Sequence, residues 1–406
     1  MKYLILVPDG AADFPVDVIG GKTPLEVAYK PNIDWLAKNG RCGLMQTIPD
    51  GMPAGSEVAN LSILGYSPEK CYQGRGVLEA ASLGIKIDED DVVFRCNTVF
   101  TEDDIMMSHS AGHITSSESA ELIKTLNENF SSDLIIFFHG LDYRHILVLK
   151  RKFSPEVYCF PPHDNVGRKI SDILPYPTSD SARKTTELLK DMIFSSAEIL
   201  KQHPVNIKRI NENKQPANLI WPWSPGKKPE METLTKKFGI SGAIISAVDL
   251  IKGIGIYAGF DIINVNGATG LYNTNYEGKA DAAIGALTNH DFVYVHVEAP
   301  DEASHEGNVE LKIRCIEDFD RRIVGNILKN IDLQNTTIAI IPDHFTPVSV
   351  RGHTNQKVPF LIYRQDIIPD KIENFNEKNC KSGGFGSIKG EEFIRAVLNI
   401  SGISSC

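Results

Sequence analysis

Short aliphatic runs that end in acidic residues recur along the 406-residue chain. The runs are YLILVPDG (3–10), DFVYVHVEAPDEASH (291–305) and TTIAIIPDHF (336–345). A short aliphatic run followed by turn residues is typical of a parallel strand whose two faces are both covered. Helical patterns precede or follow these runs, so the sequence predicts an α/β fold with a doubly wound, mostly parallel sheet.

The middle of the chain has a different pattern. Strand-like runs such as DLIIFFHG and HILVLK precede the turn-rich PPHDN, and two helices are predicted around SARKTTELLKDMIFSSAEILK. A chain of this length exceeds the usual size of one hydrophobic core. We therefore predict a smaller α+β substrate-binding domain at residues 86–225. It is inserted into a catalytic, metal-binding domain formed by residues 1–85 and 226–406.

Composition and charge exclude several classes of protein. With 42% hydrophobic and 23% charged residues, the chain has the composition of a globular enzyme. Its net charge of −10 argues against nucleic-acid binding, and the first apolar run is too short for a signal peptide or membrane span. Seven scattered cysteines without a C-x-x-C pair fit a reducing cytoplasm. The oligomeric state stays open.

Carboxylates and histidines follow the three predicted strands. Ligands bind beyond the carboxyl ends of parallel strands, so these tips should converge. Singly, each residue has an ordinary explanation as a turn residue, a helix cap or a surface histidine. Together they supply oxygen and nitrogen ligands suited to two divalent ions such as zinc, manganese or magnesium. The candidate metal ligands are Asp9, Asp301, His305, Asp343, His344 and His353.

Ser56 is the candidate nucleophile in GMPAGSEVANLSILGY (51–66). Glycine and proline before it predict a tight loop, and a helix is predicted to begin at or just after it. Judged locally, the serine could simply be an N-cap. The same position also presents backbone N–H groups and the positive end of a helix dipole to a phosphate, where a metal can activate the hydroxyl.

Several segments resemble successive signatures of one family. They are VPDGAAD, MPAGSEVANLSILGY, GRGVLEAASLGI, HVEAPDEASHEG and PDHFTP, and SAGHI, YRHILV and PPHD in the middle are similar too. The family is that of the archaeal-type cofactor-independent phosphoglycerate mutases, within the alkaline phosphatase superfamily. The resemblance implies one metal ion held by Asp9, Ser56, Asp343 and His344, and a second held by Asp301, His305 and His353.

The resemblance also implies roles for residues outside the metal ligands. It places Lys279 close to the transferring phosphate, although a solvated helix lysine is an equal interpretation of the residues alone. It implies that His113 handles substrate or protons in the inserted domain. The candidate substrate-binding residues are Arg75, Arg144, His163 and Asp164, because arginine binds carboxylates and phosphates in bidentate fashion and histidine titrates near neutrality.

The function implied by the resemblance is that of a glycolytic isomerase. Such an enzyme interconverts 3-phosphoglycerate and 2-phosphoglycerate through a phosphoserine, using two divalent ions (Mn²⁺, Zn²⁺, Mg²⁺ or Co²⁺). Two alternatives use the same residues: a homoserine kinase-like phosphotransferase of the same family, and a metal-dependent phosphomonoesterase. A non-catalytic metal-binding protein is a third, which the complete set of ligands and a nucleophile argues against.

Overall fold

The computed structural model describes residues 1–130 and 132–400. It contains fifteen strands within that part of the chain. They are β1 (Lys2–Pro8), β2 (Arg41–Gln46), β3 (Val92–Glu102), β4 (Ile105–Ser108), β5 (Ile135–Leu141), β6 (Arg144–Leu149), β7 (Val157–Tyr158), β8 (Tyr176–Pro177), β9 (Leu219–Gly226), β10 (Gly242–Ile245), β11 (Asp261–Ile262), β12 (Phe292–Val297), β13 (Thr336–Ile340), β14 (Val358–Tyr363) and β15 (Gly386–Lys389).

Helices connect and cover these strands. The α-helices are α1 (Pro24–Val27), α2 (Pro31–Asn39), α3 (Ser56–Ile63), α4 (Pro68–Cys71), α5 (Arg75–Ser82), α6 (Ser116–Phe130), α7 (Arg183–Lys201), α8 (Pro204–Asn211), α9 (Leu234–Phe238), α10 (Asp249–Tyr257), α11 (Tyr276–Asn289), α12 (Ala299–His305), α13 (Val309–Asp318), α14 (Gly325–Asn330) and α15 (Glu391–Leu398). A π-helical turn, Phe319–Val324, joins α13 to α14. In the described part of the chain, none of the helices has the length and apolar character needed to cross a membrane.

The chain divides into two compact units. The first comprises Met1–Tyr72 and Glu230–Cys406, and the second comprises Gln73–Pro229. The sequence predicted the first change of domain later, after residue 85, which left α5 in the catalytic domain. Instead α5 belongs to the second unit because it packs on β3 and β9. Its Gly76 lies so close to the backbone of β3 that an added Cβ would be 2.9 Å from the Arg95 nitrogen.

The first unit is built on an eight-stranded sheet in the order β11-β10-β12-β1-β13-β14-β2-β15. The five strands from β11 to β13 are parallel to one another. Strand β14 runs antiparallel to β13 and β2, and β15 is parallel to β2. The predicted α/β fold with a mostly parallel sheet is therefore confirmed.

The three aliphatic runs of the sequence form the centre of this sheet. Strand β1 lies between β12 and β13, and its Ile5 pairs with Tyr294 on one side and Ala339 on the other. All six residues of β12 and all five of β13 are buried, as expected for strands covered on both faces. Because the strands are parallel, the segments that follow them emerge at the same edge of the sheet.

The second unit contains an antiparallel sheet in the order β5-β6-β3-β9, with β4 paired to the end of β3. Helices α6 and α7 cover it, and β7 and β8 form a separate ribbon. Two helices were predicted around residues 181–201, but the structure has the single helix α7 there. The segment stays helical because Leu189, Met192, Ile193 and Leu200 keep one apolar face toward the core, without an interrupting glycine or proline.

A buried ion pair joins α13 to the loop after β1. The Lys312 ammonium and the Asp13 carboxylate are 2.8 Å apart, and both side chains are fully buried. Lys312 also donates to the carbonyl oxygens of Ala12 and Thr346, so its three protons are all used. A buried charge is tolerated only when paired in this way, and this pair fixes the loops at the tips of β1 and β13.

We predict that Lys312→Met lowers the free energy of unfolding by about 3–5 kcal/mol, because it leaves the Asp13 charge buried without a partner. Urea denaturation followed by circular dichroism measures the change. Lys381→Met, at an exposed lysine, is the matched control and should stay within about 0.5 kcal/mol of the unmodified protein. Equal effects of the two substitutions would contradict this account of the pair.

Candidate metal centre

Asp9 stands at the tip of the central strand, directly after Pro8 ends β1. The side chain is 1% exposed, and neither carboxylate oxygen has a hydrogen-bond partner among the described residues. Burial and the neighbouring carboxylates of Asp343 and Asp301 raise the pKa of Asp9 well above its ordinary value. A buried carboxylate without a donor is costly, and a cation is the partner that would stabilise it.

The loop after β13 brings Asp343 and His344 to Asp9. Backbone N–H groups of Gly10 and His344 donate to one Asp343 oxygen, and the Asn60 amide donates to the other at 2.9 Å. His344 Nε2 is 3.5 Å from Asp9 Oδ1 and 3.5 Å from Asp343 Oδ2. Two carboxylates and an imidazole nitrogen thus face one small buried volume.

Ser56 is the first residue of α3, and the preceding Gly55 is the N-cap. The helix therefore begins where the sequence predicted, although Ser56 is not its cap. The Ser56 hydroxyl oxygen is 3.1 Å from His344 Nε2. The Asn60 amide donates to the Ser56 carbonyl oxygen, and the buried Tyr294 hydroxyl donates to the Asn60 side-chain oxygen. This chain of bonds fixes the start of α3 against β12 and Asp343.

Asp301, His305 and His353 form an adjoining group. As the sequence predicted, the i and i+4 residues of α12 share a face, with His305 Nε2 3.1 Å from Asp301 Oδ2. His353 Nε2 lies 3.5 Å from Asp301 Oδ1 and 3.0 Å from His305 Nε2. His305 Nδ1 faces the carbonyl oxygen of Arg351 at 3.0 Å, which leaves Nε2 toward the group.

Hydrogen bonding controls the ionisation of this group. Burial disfavours the Asp301 carboxylate, yet the hydrogen bonds from His305 and His353 hold its pKa well below the ordinary value. The hydrogen bond to Asp301 raises the pKa of His305 to about 9 against the opposing effect of burial. Without a cation, a proton on His305 therefore balances Asp301 at neutral pH.

His296 is a ligand candidate that the sequence reasoning missed. It lies in β12 and pairs in register with Val7 of β1. Its Nε2 is 3.1 Å from Asp9 Oδ2 and makes no hydrogen bond within the described residues, and burial lowers its pKa to about 4. The sequence feature that could have indicated His296 is a single histidine near the ligand-binding end of the otherwise apolar or aromatic strand FVYVHV.

The geometry fits divalent cations. Ligand atoms of Asp9, His296 and Asp343 lie within 4.8 Å of one another, and so do those of Asp301, His344 and His353. Carboxylate oxygens and neutral imidazole nitrogens are ligands for zinc, manganese and magnesium, and the unpaired Asp9 oxygens face this donor set. The predicted ligands all lie in this region: Asp9, Ser56, Asp301, His305, Asp343, His344 and His353. His344 belongs to the second group, and its Nε2 is also 3.5 Å from Asp9 Oδ1 and Asp343 Oδ2 in the first.

Lys279 lies on α11 and is 1% exposed, so it is not a solvated surface lysine. Its ammonium donates to the carbonyl oxygen of His296 at 3.1 Å. Burial lowers the pKa of Lys279 to about 8, against the raising effect of Glu298. The lysine therefore places a positive charge beside the backbone of His296, at the end of β12.

The remaining predicted residues belong to the second unit. The Arg75 N–H donates to Ser224 Oγ at the start of α5. His163 Nε2 is 3.6 Å from Asp164, and the His163 ring packs on Trp223 with centroids 5.3 Å apart. Arg144 begins β6, and its guanidinium carbon is 5.6 Å from the Tyr143 ring centroid.

The sequence analysis did not predict two further residues of this unit, which lie close to the predicted His163. Arg95 of β3 stacks 4.3 Å from the Trp223 ring and pairs with Glu79 at 3.1 Å. Burial lowers the pKa of His163, and the positive charges of Arg95 and Arg75 lower it further despite Asp164.

His109 is the second missed residue, with its ring centroid 6.4 Å from that of His163. His113 is exposed and has a positive φ of 54°. Burial and the neighbouring His113 lower the pKa of His109. The second unit therefore packs Arg95 and His163 against the ring of Trp223, with His109 beside His163. Arg95 could have been noticed in the sequence because it is the one arginine in the largely apolar strand VVFRCNTVF.

The fold and the site define an α/β protein with a carboxylate–histidine centre for divalent cations. A family model described as 2,3-bisphosphoglycerate-independent phosphoglycerate mutase matches residues 37–206. A protein of that name from Methanosarcina barkeri is 48% identical over 98% of this chain and 99% of its own length. A probable member from Geobacter sulfurreducens is 44% identical over 98% of this chain and 100% of its own length. The chain belongs to the 2,3-bisphosphoglycerate-independent phosphoglycerate mutase family.

Solved structures agree with this membership. A cofactor-independent phosphoglycerate mutase from Thermoplasma acidophilum is 27% identical, with a TM-score of 0.71 over 99% of this chain and 100% of that one. A Pyrococcus horikoshii protein is 30% identical, with a TM-score of 0.85 over 100% of this chain and 99% of that one. The resemblance seen in the sequence motifs is thus confirmed over the whole chain.

We predict that metal binding releases protons and strengthens as the pH rises. In the metal-free protein His305 has a pKa of about 9, so it is protonated at pH 7 and must lose that proton to bind a cation. The affinity for Mn²⁺ should rise about tenfold per pH unit between pH 7 and 8.5. Calorimetric titrations in two buffers of different ionisation enthalpy count the protons released. An affinity that does not change with pH would contradict a protonated His305 in the metal-free protein.

Proposed function

We propose that this chain is a metal-dependent phosphoglycerate mutase. It interconverts 3-phosphoglycerate and 2-phosphoglycerate without a bisphosphoglycerate cofactor, by way of a phosphoserine at Ser56. The observation that carries the proposal is the position of Ser56. Its hydroxyl oxygen lies at the N-terminus of α3 and 3.1 Å from His344 Nε2, inside the donor set of the metal centre.

Two divalent ions would occupy this centre. Asp9, Asp343, His344 and Ser56 are the proposed ligands of one, with His296 as a further candidate, and Asp301, His305 and His353 are those of the other. Manganese, zinc, magnesium and cobalt all suit this mixture of ligands. When bound, such ions lower the pKa of a coordinated hydroxyl and neutralise charge on phosphoryl oxygens.

Ser56 then acts as the nucleophile. The Ser56 hydroxyl loses its proton to solvent and its oxygen attacks the phosphorus of 3-phosphoglycerate. The bond from phosphorus to the substrate oxygen breaks, that oxygen takes up a proton from the proposed acid/base, and glycerate stays bound. Transfer of the phosphoryl group from phosphoserine to the 2-hydroxyl gives 2-phosphoglycerate. The backbone N–H groups at the start of α3 and the ammonium of Lys279 are suited to stabilise the negative charge.

The second unit is proposed to bind the rest of the substrate. Arg75 and Arg144, with Arg95, offer guanidinium groups to the substrate carboxylate, and His163 and Asp164 lie in the same unit. His113 is the proposed acid/base for the glycerate hydroxyls. A cluster of cations explains how an acidic chain attracts a small anionic substrate. We also propose a cytoplasmic location, on the basis of the scattered cysteines.

We predict that Ser56→Ala lowers the mutase rate by at least about 10⁴-fold, because the phosphoryl acceptor is lost. The assay follows 3-phosphoglycerate by phosphorus NMR with manganese-loaded protein and no added bisphosphoglycerate. Ser62→Ala is the matched control. Ser62 lies on the same helix, and its buried hydroxyl has no hydrogen-bond partner in the described part of the chain. Its rate should stay close to that of the unmodified enzyme.

The same assay separates the alternatives. Turnover by Ser56→Ala at the unmodified rate would rule out the nucleophile. Free phosphate without 2-phosphoglycerate would indicate a phosphomonoesterase. Phosphohomoserine formed from homoserine and ATP would indicate a kinase.

We predict that His353→Ala binds one divalent ion fewer per chain, because Asp301 and His305 alone are too few protein ligands for a tightly held ion. Elemental analysis after dialysis counts the ions. His290→Ala, at a histidine bonded to Asp261 away from the centre, is the control and should keep both. Unchanged metal content in His353→Ala would remove that residue from the ligand set.

A further inference from the structure

We propose that the side-chain hydroxyl of Thr346 positions ligands of both metal sites and makes the two sites depend on each other. The inference rests on the proposed function, because it takes Asp301 and His344 as ligands of different ions. Thr346 is two residues beyond His344 in PDHFTP. It is not one of the proposed metal ligands, substrate-binding residues or catalytic residues.

The hydroxyl lies between one ligand of each site. Its oxygen is 2.5 Å from Asp301 Oδ1, to which it donates, and 3.0 Å from His344 Nδ1. Thr346 and His344 are fully buried, and Asp301 is 5% exposed. Water therefore does not compete for either bond, and one side-chain group connects α12 to the loop after β13.

The single proton of the hydroxyl determines the tautomer of His344. An ionised carboxylate can only accept, so the Thr346 proton is committed to Asp301. His344 Nδ1 must then be the donor to the Thr346 oxygen. That leaves His344 Nε2 without a proton, with its lone pair toward Asp9, Asp343 and Ser56. A neutral imidazole in this tautomer is the form that can bind a cation.

The backbone around Thr346 holds the hydroxyl in place. The Thr346 N–H donates to the Ala12 carbonyl oxygen at 3.2 Å, and the buried Lys312 ammonium donates to the Thr346 carbonyl oxygen at 3.0 Å. Gly10 leaves the room for the bond to Asp301. A Cβ there would lie 2.5 Å from Asp301 Oδ1 and 2.7 Å from Thr346 Oγ1, and the positive φ of 62° also favours glycine.

The two sites are therefore joined through one hydroxyl. Removing it takes a hydrogen bond from Asp301 in one ligand set, and it leaves the Nδ1 proton of His344 in the other set without an acceptor. The His344 proton is then free to move to Nε2, where it blocks cation binding. Loss of the hydroxyl should weaken both sites, whereas loss of a ligand of one site acts first on that site.

The first test is Mn²⁺ binding to metal-free protein by calorimetry. Thr346→Val, which keeps the shape but not the hydroxyl, should bind both ions about 10–100-fold more weakly. Thr346→Ser restores the hydroxyl and should bind both ions nearly as tightly as the unmodified protein. Thr337→Val is the matched control, because Thr337 is fully buried on β13 and its hydroxyl has no partner in the described part of the chain. Its affinity should not change.

Three results would overturn the proposal. The first is an unchanged Mn²⁺ affinity in Thr346→Val. The second is a lower affinity for only one of the two ions in that variant. The third is an Mn²⁺ affinity of Thr346→Ser that is as low as that of Thr346→Val. None of these readouts depends on phosphoryl transfer. A failed mutase assay with coupled metal binding would therefore reject the proposed activity and leave this inference standing.

A second test uses the unmodified metal-free protein and so does not depend on whether a variant folds. Nitrogen-15 NMR of labelled histidines reports which ring nitrogen carries the proton, and the His344→Asn spectrum assigns the signal. We expect His344 to be neutral and protonated at Nδ1. A proton at Nε2 would overturn the inference, since Thr346 would then not determine the tautomer.

Discussion

Electrostatic repulsion among three buried aspartates is the constraint on which the rest of this structure depends. Ligand atoms of Asp9 and Asp343 lie within 4.8 Å of each other in a region closed to water. Two such charges repel by about 3–4 kcal/mol at an effective dielectric constant of 20. Cations relieve this repulsion. In the metal-free protein, burial and neighbouring carboxylates raise the pKa of Asp9, and a proton on His305 balances Asp301. The buried carboxylates are therefore stabilised by positive charge, either from protons or from bound cations.

The sheet supplies the geometry that brings these charges together. Three adjacent parallel strands, β12, β1 and β13, end at one edge, and each is followed within four residues by a candidate ligand. The supporting hydrogen bonds come from elsewhere in the chain. Asn60 of α3 orients Asp343, and the carbonyl oxygen of Arg351 fixes the ring of His305. Such partners decide which ring nitrogen and which carboxylate oxygen face the centre, which is as important as the ligands themselves.

The two units carry different functional groups. The first unit holds the carboxylates, the histidines and the proposed nucleophile, whereas the second gathers Arg75, Arg95 and Arg144 near histidines. The proposed substrate is a phosphorylated acid with two anionic groups. The net charge of the chain is −10, so long-range attraction cannot collect such a substrate. Under the proposed function, bound cations and arginine side chains supply the local positive charge that attracts it.

The sequence alone determined the features that depend on neighbours along the chain. Aliphatic runs predicted β1, β12 and β13, the turn before Ser56 predicted the start of α3, and the spacing of Asp301 and His305 predicted a shared helix face. The family resemblance added Ser56 as a proposed ligand and the proposed division of the candidate ligands between two ions. Only the tertiary structure identified His296, Arg95 and Thr346, because their partners lie far away in sequence. Register sets His296 beside Asp9, and packing sets the Thr346 hydroxyl between two ligands. Distances of a few tenths of an ångström decide such contacts, and no local pattern of residues encodes them.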